Sequence, residues 1–108
     1  MATWKDFEDL EIRVGTIVNV EEFPEARKPA YKIWVDFGDL GVKKTSARIT
    51  DLYQPEDLVG KQVIGVLGLG PKQIWPFVSE FLLTGFETSR GVVLAVPDGK
   101  VPNGERLR

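Results

Sequence analysis

A two-residue alternation beginning near Glu11 limits the fold of this chain more than any other feature. Ile12, Val14, Thr16, Val18 and Val20 alternate with Arg13, Gly15, Ile17, Asn19 and Glu21. That period sends successive side chains to opposite faces, so it predicts a long half-buried strand and excludes an amphipathic helix. Gly15 within the run predicts a bulge or sharp bend, of the kind small barrels need.

The remainder extends this pattern. Upstream, Thr3 is placed to cap a short helix with Trp4, Phe7 and Leu10 on one face. After a loop over 22–30, with Pro24 and Pro29, a second strand sets Tyr31, Ile33, Val35 and Phe37 against Lys32, Trp34 and Asp36. A turn at 38–41 leads into a third strand over 42–49. Residues 51–59 predict a short helix, opened by Pro55 and closed by Gly60. A fourth strand over 61–69, a loop over 70–76, a fifth strand over 77–86 and a sixth over 91–96 follow, before a short tail. This order predicts an all-β OB-fold, a five-stranded barrel with a short helix after strand three and an N-terminal helix. An SH3-like barrel or a small sandwich shares the strand count. With 108 residues and no dividing linker, the chain reads as one domain spanning 1–108.

The composition excludes much chemistry. There is no Cys and no His, so thiol nucleophiles, Cys-ligated zinc and the usual general base are missing. Ser79 and Glu80 lack an adjacent base, and Gly68-Leu-Gly70-Pro-Lys-Gln73 has Gln73 where a dinucleotide fingerprint needs its third glycine. Asp6, Glu8, Asp9 and Glu11 read as a solvated helix face. No catalytic residue, metal site or cofactor is expected, and the protein reads as a non-enzyme. The acidic N-terminus lacks the form of a secretory signal. The apolar stretch 62–71 is about half the roughly 20 residues that cross a bilayer, so the expectation is a cytoplasmic protein without membrane insertion.

Charge is polarised along the chain. Against a formal net charge of −2, residues 1–26 carry −5 and residues 27–48 carry +4. The basic segment holds Arg27, Lys28, Lys32, Lys43, Lys44 and Arg48, on the strands and loop where an OB barrel binds ligands. Lys44, Ser46 and Arg48 share one face of the third strand, and Thr45, Ala47 and Ile49 share the other. Cations beside Tyr31 and Trp34 suit RNA, where phosphates meet charge and bases stack on rings. Such cations also decorate solvated strand faces, and Trp34, with no apolar partner in Lys32 or Asp36 beside it, suits an oligomer interface better than a stacking platform.

Aromatic residues exceed what a small barrel interior holds. Trp4, Phe7, Trp34, Trp75, Phe77 and Phe81 are therefore candidates for a peptide-binding surface or a dimer interface. The alternative for Trp4 and Phe7 is to cover the open end of the barrel. A symmetric homodimer would bury the surplus and join two basic faces. Two functions follow: a dimeric module for single-stranded or looped RNA, or a module that binds partners through an exposed apolar surface.

The runs Ile12-Arg-Val-Gly-Thr-Ile17, Phe23-Pro-Glu-Ala-Arg-Lys-Pro-Ala-Tyr31, Asp36-Phe-Gly38 and Pro71-Lys-Gln-Ile74 resemble the CsaA family. These are secretion-related chaperones built as stand-alone tRNA-binding domains, related to domains appended to some methionyl- and phenylalanyl-tRNA synthetases. The resemblance spans about Phe7 to Leu107. It implies an OB-fold homodimer acting on unfolded or export-bound polypeptides and binding tRNA. It also implies an RNA surface at Arg13, Lys32, Ser46, Arg48, Lys72, Gln73 and Ser79-Glu80, to which the alternation adds Lys44. Where that family has an Asn-containing run before Pro-Lys-Gln, this chain has Gly68-Leu69-Gly70, so an amide is missing there.

Overall fold

A computed structural model of the chain describes every residue except Trp75, and of Ile74 the backbone alone. Its helices are α1 (Trp4–Asp9) and α2 (Pro55–Leu58). The strands are β1 (Glu11–Glu22), β2 (Tyr31–Asp36), β3 (Val42–Ala47), β4 (Gln62–Leu67), β5 (Lys72–Ile74), β6 (Phe77–Ser79), β7 (Leu82–Leu83), β8 (Gly85–Thr88) and β9 (Gly91–Leu94). An antiparallel sheet in the order β3-β2-β1-β4-β7 curls into an OB-like barrel, with β5–β6 and β8–β9 as separate hairpins. The all-β class and both helices agree with the sequence expectation. Thr3 Oγ1 accepts from the Asp6 amide and the Asp6 carboxylate accepts from the Thr3 amide, which satisfies two donors at the start of α1. Pro55 opens α2, and Gly60 ends it with φ +92°.

The alternation in β2 is realised in full. Tyr31, Ile33, Val35 and Phe37 point into the core, joined there by Ile17, Leu58, Val63 and Phe81. Phe37 is wholly buried and meets Phe81 edge-on, with centroids 5.0 Å apart at 83°. Room for the two rings comes from two strand glycines. A Cβ on Gly65 would sit 2.9 Å from both Phe37 Cζ and Phe81 Cδ2, and one on Gly15 would sit 2.5 Å from Val35 Cγ1. Gly15 is thus a close-approach residue and not the bulge expected of it. The irregularity lies further on, where Ile17 pairs with Val35 but Asn19 pairs with Trp34. Val18 is left over and exposed, and the buried phase passes from Ile17 to Val20.

Three further expectations change. The loop over 70–76 contains β5, which pairs with β6 to form a short hairpin. The strand over 77–86 is three pieces, because the chain changes partner from β5 to β4 to β9 as it crosses the barrel. The short tail is paired with the sheet. It lies along β1 beyond the end of β2, where the amide of Val14 donates to Glu105 O (3.0 Å) and that of Gly104 to Val14 O (2.7 Å). Asn103 Oδ1 accepts from Thr16 and Gln62 and fastens the tail's start. The tail thus pairs the edge of β1 that β2 leaves open, and Val14 is buried there.

The outer edge of β3 is closed by side chains as much as by backbone. Lys44 N donates to Glu80 Oε1 (2.9 Å), Glu80 N to Lys44 O (2.8 Å), and Ser46 N to Ser79 Oγ (3.0 Å). Thr45 Oγ1 donates to Phe81 O at 2.8 Å. A bare strand edge invites pairing with other chains, and residues 79–81 remove that edge here. Ser79 and Glu80 accordingly hold structural bonds, which accounts for a serine beside a carboxylate without a catalytic role.

Candidate nucleic-acid interface

Cross-strand register carries several candidate residues onto one line over the outside of the sheet. Lys32 of β2 pairs with Ser46 of β3, Ser46 reaches Ser79 of β6, and Ser79 pairs with Lys72 of β5. Paired residues in antiparallel strands project to the same side, so Lys32 and Ser46 share one face, as do Ser79 and Lys72. Ser79 is buried beneath this row, while Gln73 is exposed on β5.

Beside the row lies an open groove of about 960 Å³. Its lining includes the cations Arg27, Lys28, Arg48 and Lys72 and the apolar Ala47, Leu82, Leu83 and Val92. Four cations in a partly apolar groove form a seat for a polyanion with flat apolar faces. Arg27 and Lys28 belong to the basic segment, but they lie in a loop, where no strand alternation assigns them to a face. They reach the groove because the loop after β1 folds back, with Phe23 N donating to Ala30 O and Ala26 N to Phe23 O. The loop run Phe23-Pro-Glu-Ala-Arg-Lys carried that signal, though only the folded loop shows where it points.

The adjoining surface is an aromatic shelf. Phe23, Ala30 and Phe77 form a second, smaller core on the outer face of the sheet, with Trp34 packed against it. Phe77 meets Trp34 edge-on at 6.2 Å and Phe23 at 5.5 Å. Lys32 Nζ lies 5.0 Å from the Phe23 centroid, and Lys44 Nζ lies 5.1 Å from that of Phe77. Such cation–π contacts hold two ammonium groups at fixed positions near the groove.

Other candidates fall elsewhere. Phe77 and Phe81 are 7% and 5% exposed, so within one chain they fill cores and offer little surface to a peptide or second subunit. Trp75 lies outside the described residues. Arg13 is at the far end of β1 from Glu21, the residue that pairs with Lys32. Its guanidinium donates to Gly104 O (3.0 Å) and to Glu11 Oε1 (2.6 Å), under the tail. The Arg13 hydrogen bond holds the Glu11 carboxyl below the usual carboxylate range. Trp4 is 86% exposed and no residue of α1 is buried, so α1 does not cover the barrel's open end. Among the described residues no group of three acidic side chains could hold a metal ion, and no helix is long and apolar enough to cross a membrane.

Residues 12–106 match the family described as "Putative tRNA binding domain". The structure resembles a CsaA chaperone protein from Picrophilus torridus at 46% identity, with a TM-score of 0.94 over 100% of both chains. It resembles the chaperone CsaA from Bacillus anthracis at 44% identity, also with a TM-score of 0.94, over 100% of this chain and 99% of that one. The methionine–tRNA ligase of Pyrococcus abyssi is 35% identical over 103 residues, which are 95% of this chain and 14% of the ligase. The chain therefore spans about one seventh of the length of such curated relatives.

Proposed function

The chain belongs to the tRNA-binding-domain family and to its CsaA proteins, and from this premise we propose that it binds tRNA or another structured RNA in the basic groove. One observation carries the reading: Arg27, Lys28, Arg48 and Lys72 converge on a partly apolar groove beside the Trp34–Phe77 shelf. In this role the chain is a binding module and not an enzyme. The lack of His and Cys supports that reading, as does the small part of the ligases that it matches. An RNA ligand also favours the cytoplasm as its location.

Titration of labelled tRNA across a salt series tests this directly. Four phosphate contacts should give log affinity falling with a slope of about −3 against log salt, at roughly 0.7 to 0.9 per contact. A flat response would sink the proposal. A second reading draws on the groove's apolar lining of Ala47, Leu82, Leu83 and Val92, which suits extended apolar side chains. On that reading the groove also receives unfolded or export-bound polypeptides, as the word chaperone implies for the two similar structures. In the same titration an unfolded polypeptide should then displace the tRNA. Failure to displace it leaves the module to RNA alone.

We further propose that two copies associate through α1. Trp4, Phe7 and Leu10 are all exposed in the single chain, an apolar face whose natural cover is its own copy. The double substitution Trp4→Ser, Phe7→Ser should halve the mass measured by sedimentation while leaving the far-ultraviolet spectrum of the barrel unchanged. An unchanged dimer mass, or a monomeric parent protein, would exclude this interface.

A further inference from the structure

Glu87 is the one carboxylate on the groove. Among the described residues it enters none of the ion pairs, although four cations share its groove. It stands on β8 opposite Val92, and Gly85, two residues earlier on the same side of the strand, has no side chain to screen it. An unpaired carboxylate in a phosphate-binding groove repels the backbone of the ligand at that point. From RNA it can accept the ribose 2′-hydroxyl, which every nucleotide carries alike, or a donor on a base edge, and only the second discriminates between nucleotides.

The four bases differ sharply there. On its Watson–Crick edge, guanine offers N1–H and an N2 amino hydrogen side by side, which matches the two oxygens of a carboxylate. Adenine and cytosine each offer one amino group beside a ring acceptor that repels the second oxygen. Uracil offers a single N–H between two carbonyls. Resting on the reading of the groove as an RNA site, we propose that Glu87 selects an unpaired guanine by a bidentate hydrogen bond to its Watson–Crick edge. The surrounding cations hold the flanking phosphates, and the apolar lining packs against the base.

The test uses the intact protein and four ten-nucleotide single-stranded oligouridines, each with a central guanosine, inosine, adenosine or cytidine. Inosine keeps N1–H and O6 but lacks the N2 amino group. Guanosine should be favoured over adenosine and cytidine by about 5- to 150-fold, the discrimination of one bidentate pair. Inosine should fall between. Glu87→Gln should abolish the preference for guanosine over inosine while the other oligomers bind as well as before or better, because a repulsive charge is gone. Equal affinities for all four in the parent protein would overturn the assignment. So would a guanosine preference that survives Glu87→Gln, or a gain in affinity in that variant that is uniform across the four. If no oligomer and no tRNA binds in a salt-dependent way, the groove itself is misread; if all bind alike with a steep salt slope, only the role of Glu87 fails.

Discussion

Phe37→Ala should lower the thermal midpoint by roughly 15–30 °C, the largest stability change expected of any single substitution in this chain. Truncating a buried Phe costs about 3–5 kcal/mol, and one kcal/mol shifts the midpoint of a domain this size by about 4–8 °C. Phe37 belongs at the high end because the cavity it leaves cannot collapse. Its ring is walled by the backbone at Gly15 and Gly65 and by the edge-on Phe81, and strand backbone paired on both sides has little freedom to move inward. Total stability of ordinary domains is about 5–15 kcal/mol, so the variant should be poorly folded at 37 °C. Calorimetry or circular dichroism reads the shift, and a drop below about 5 °C would show that the barrel is not organised around this ring.

Charge reversal in the groove should have the largest effect on binding. Arg48→Glu with Lys72→Glu removes two phosphate partners and sets two carboxylates in their place. The slope of log affinity against log salt should become shallower by about 1.4 to 1.8, and affinity near physiological salt should fall roughly 100-fold. Arg48 and Lys72 are both exposed and neither enters an ion pair of the described structure, so folding should be nearly untouched. Arg13→Glu offers a contrast. Its guanidinium is spent on Gly104 O and Glu11, so that variant should act on the tail and on stability before it acts on RNA. Matching affinity losses from Arg13 and from the groove pair would argue against the groove as the seat.

The sequence made the general plan readable because β2 and β3 each bury one face only. Tyr31, Ile33, Val35 and Phe37 alternate without interruption, and the same period sorts Thr45 inward and Lys44 and Ser46 outward. The bulge was not readable, since Val18 is displaced by how β1 registers on β2, and no local residue marks it. The segment 77–86 reads as one strand because apolar content reports burial and not the identity of the partner. Phe77, Leu83 and Phe86 belong to three differently paired stretches of chain. The three-residue β5 was too short to show any period. For the site, alternation found Lys44 and Ser46. Arg27 and Lys28 needed the fold, because their place on the groove depends on a loop held by Phe23, Ala30 and Phe77.

The seam at the edge of β3 has a consequence for when the protein can act. Ser79 and Glu80 come late in the chain, and they close the barrel upon residues that precede them by more than thirty positions. The same stretch brings Lys72 and Leu82 to the groove. A partly folded chain therefore has its cations but no seat to hold them in register. Ligand binding reports completed folding, and a bound ligand in turn draws unfinished molecules toward the finished one.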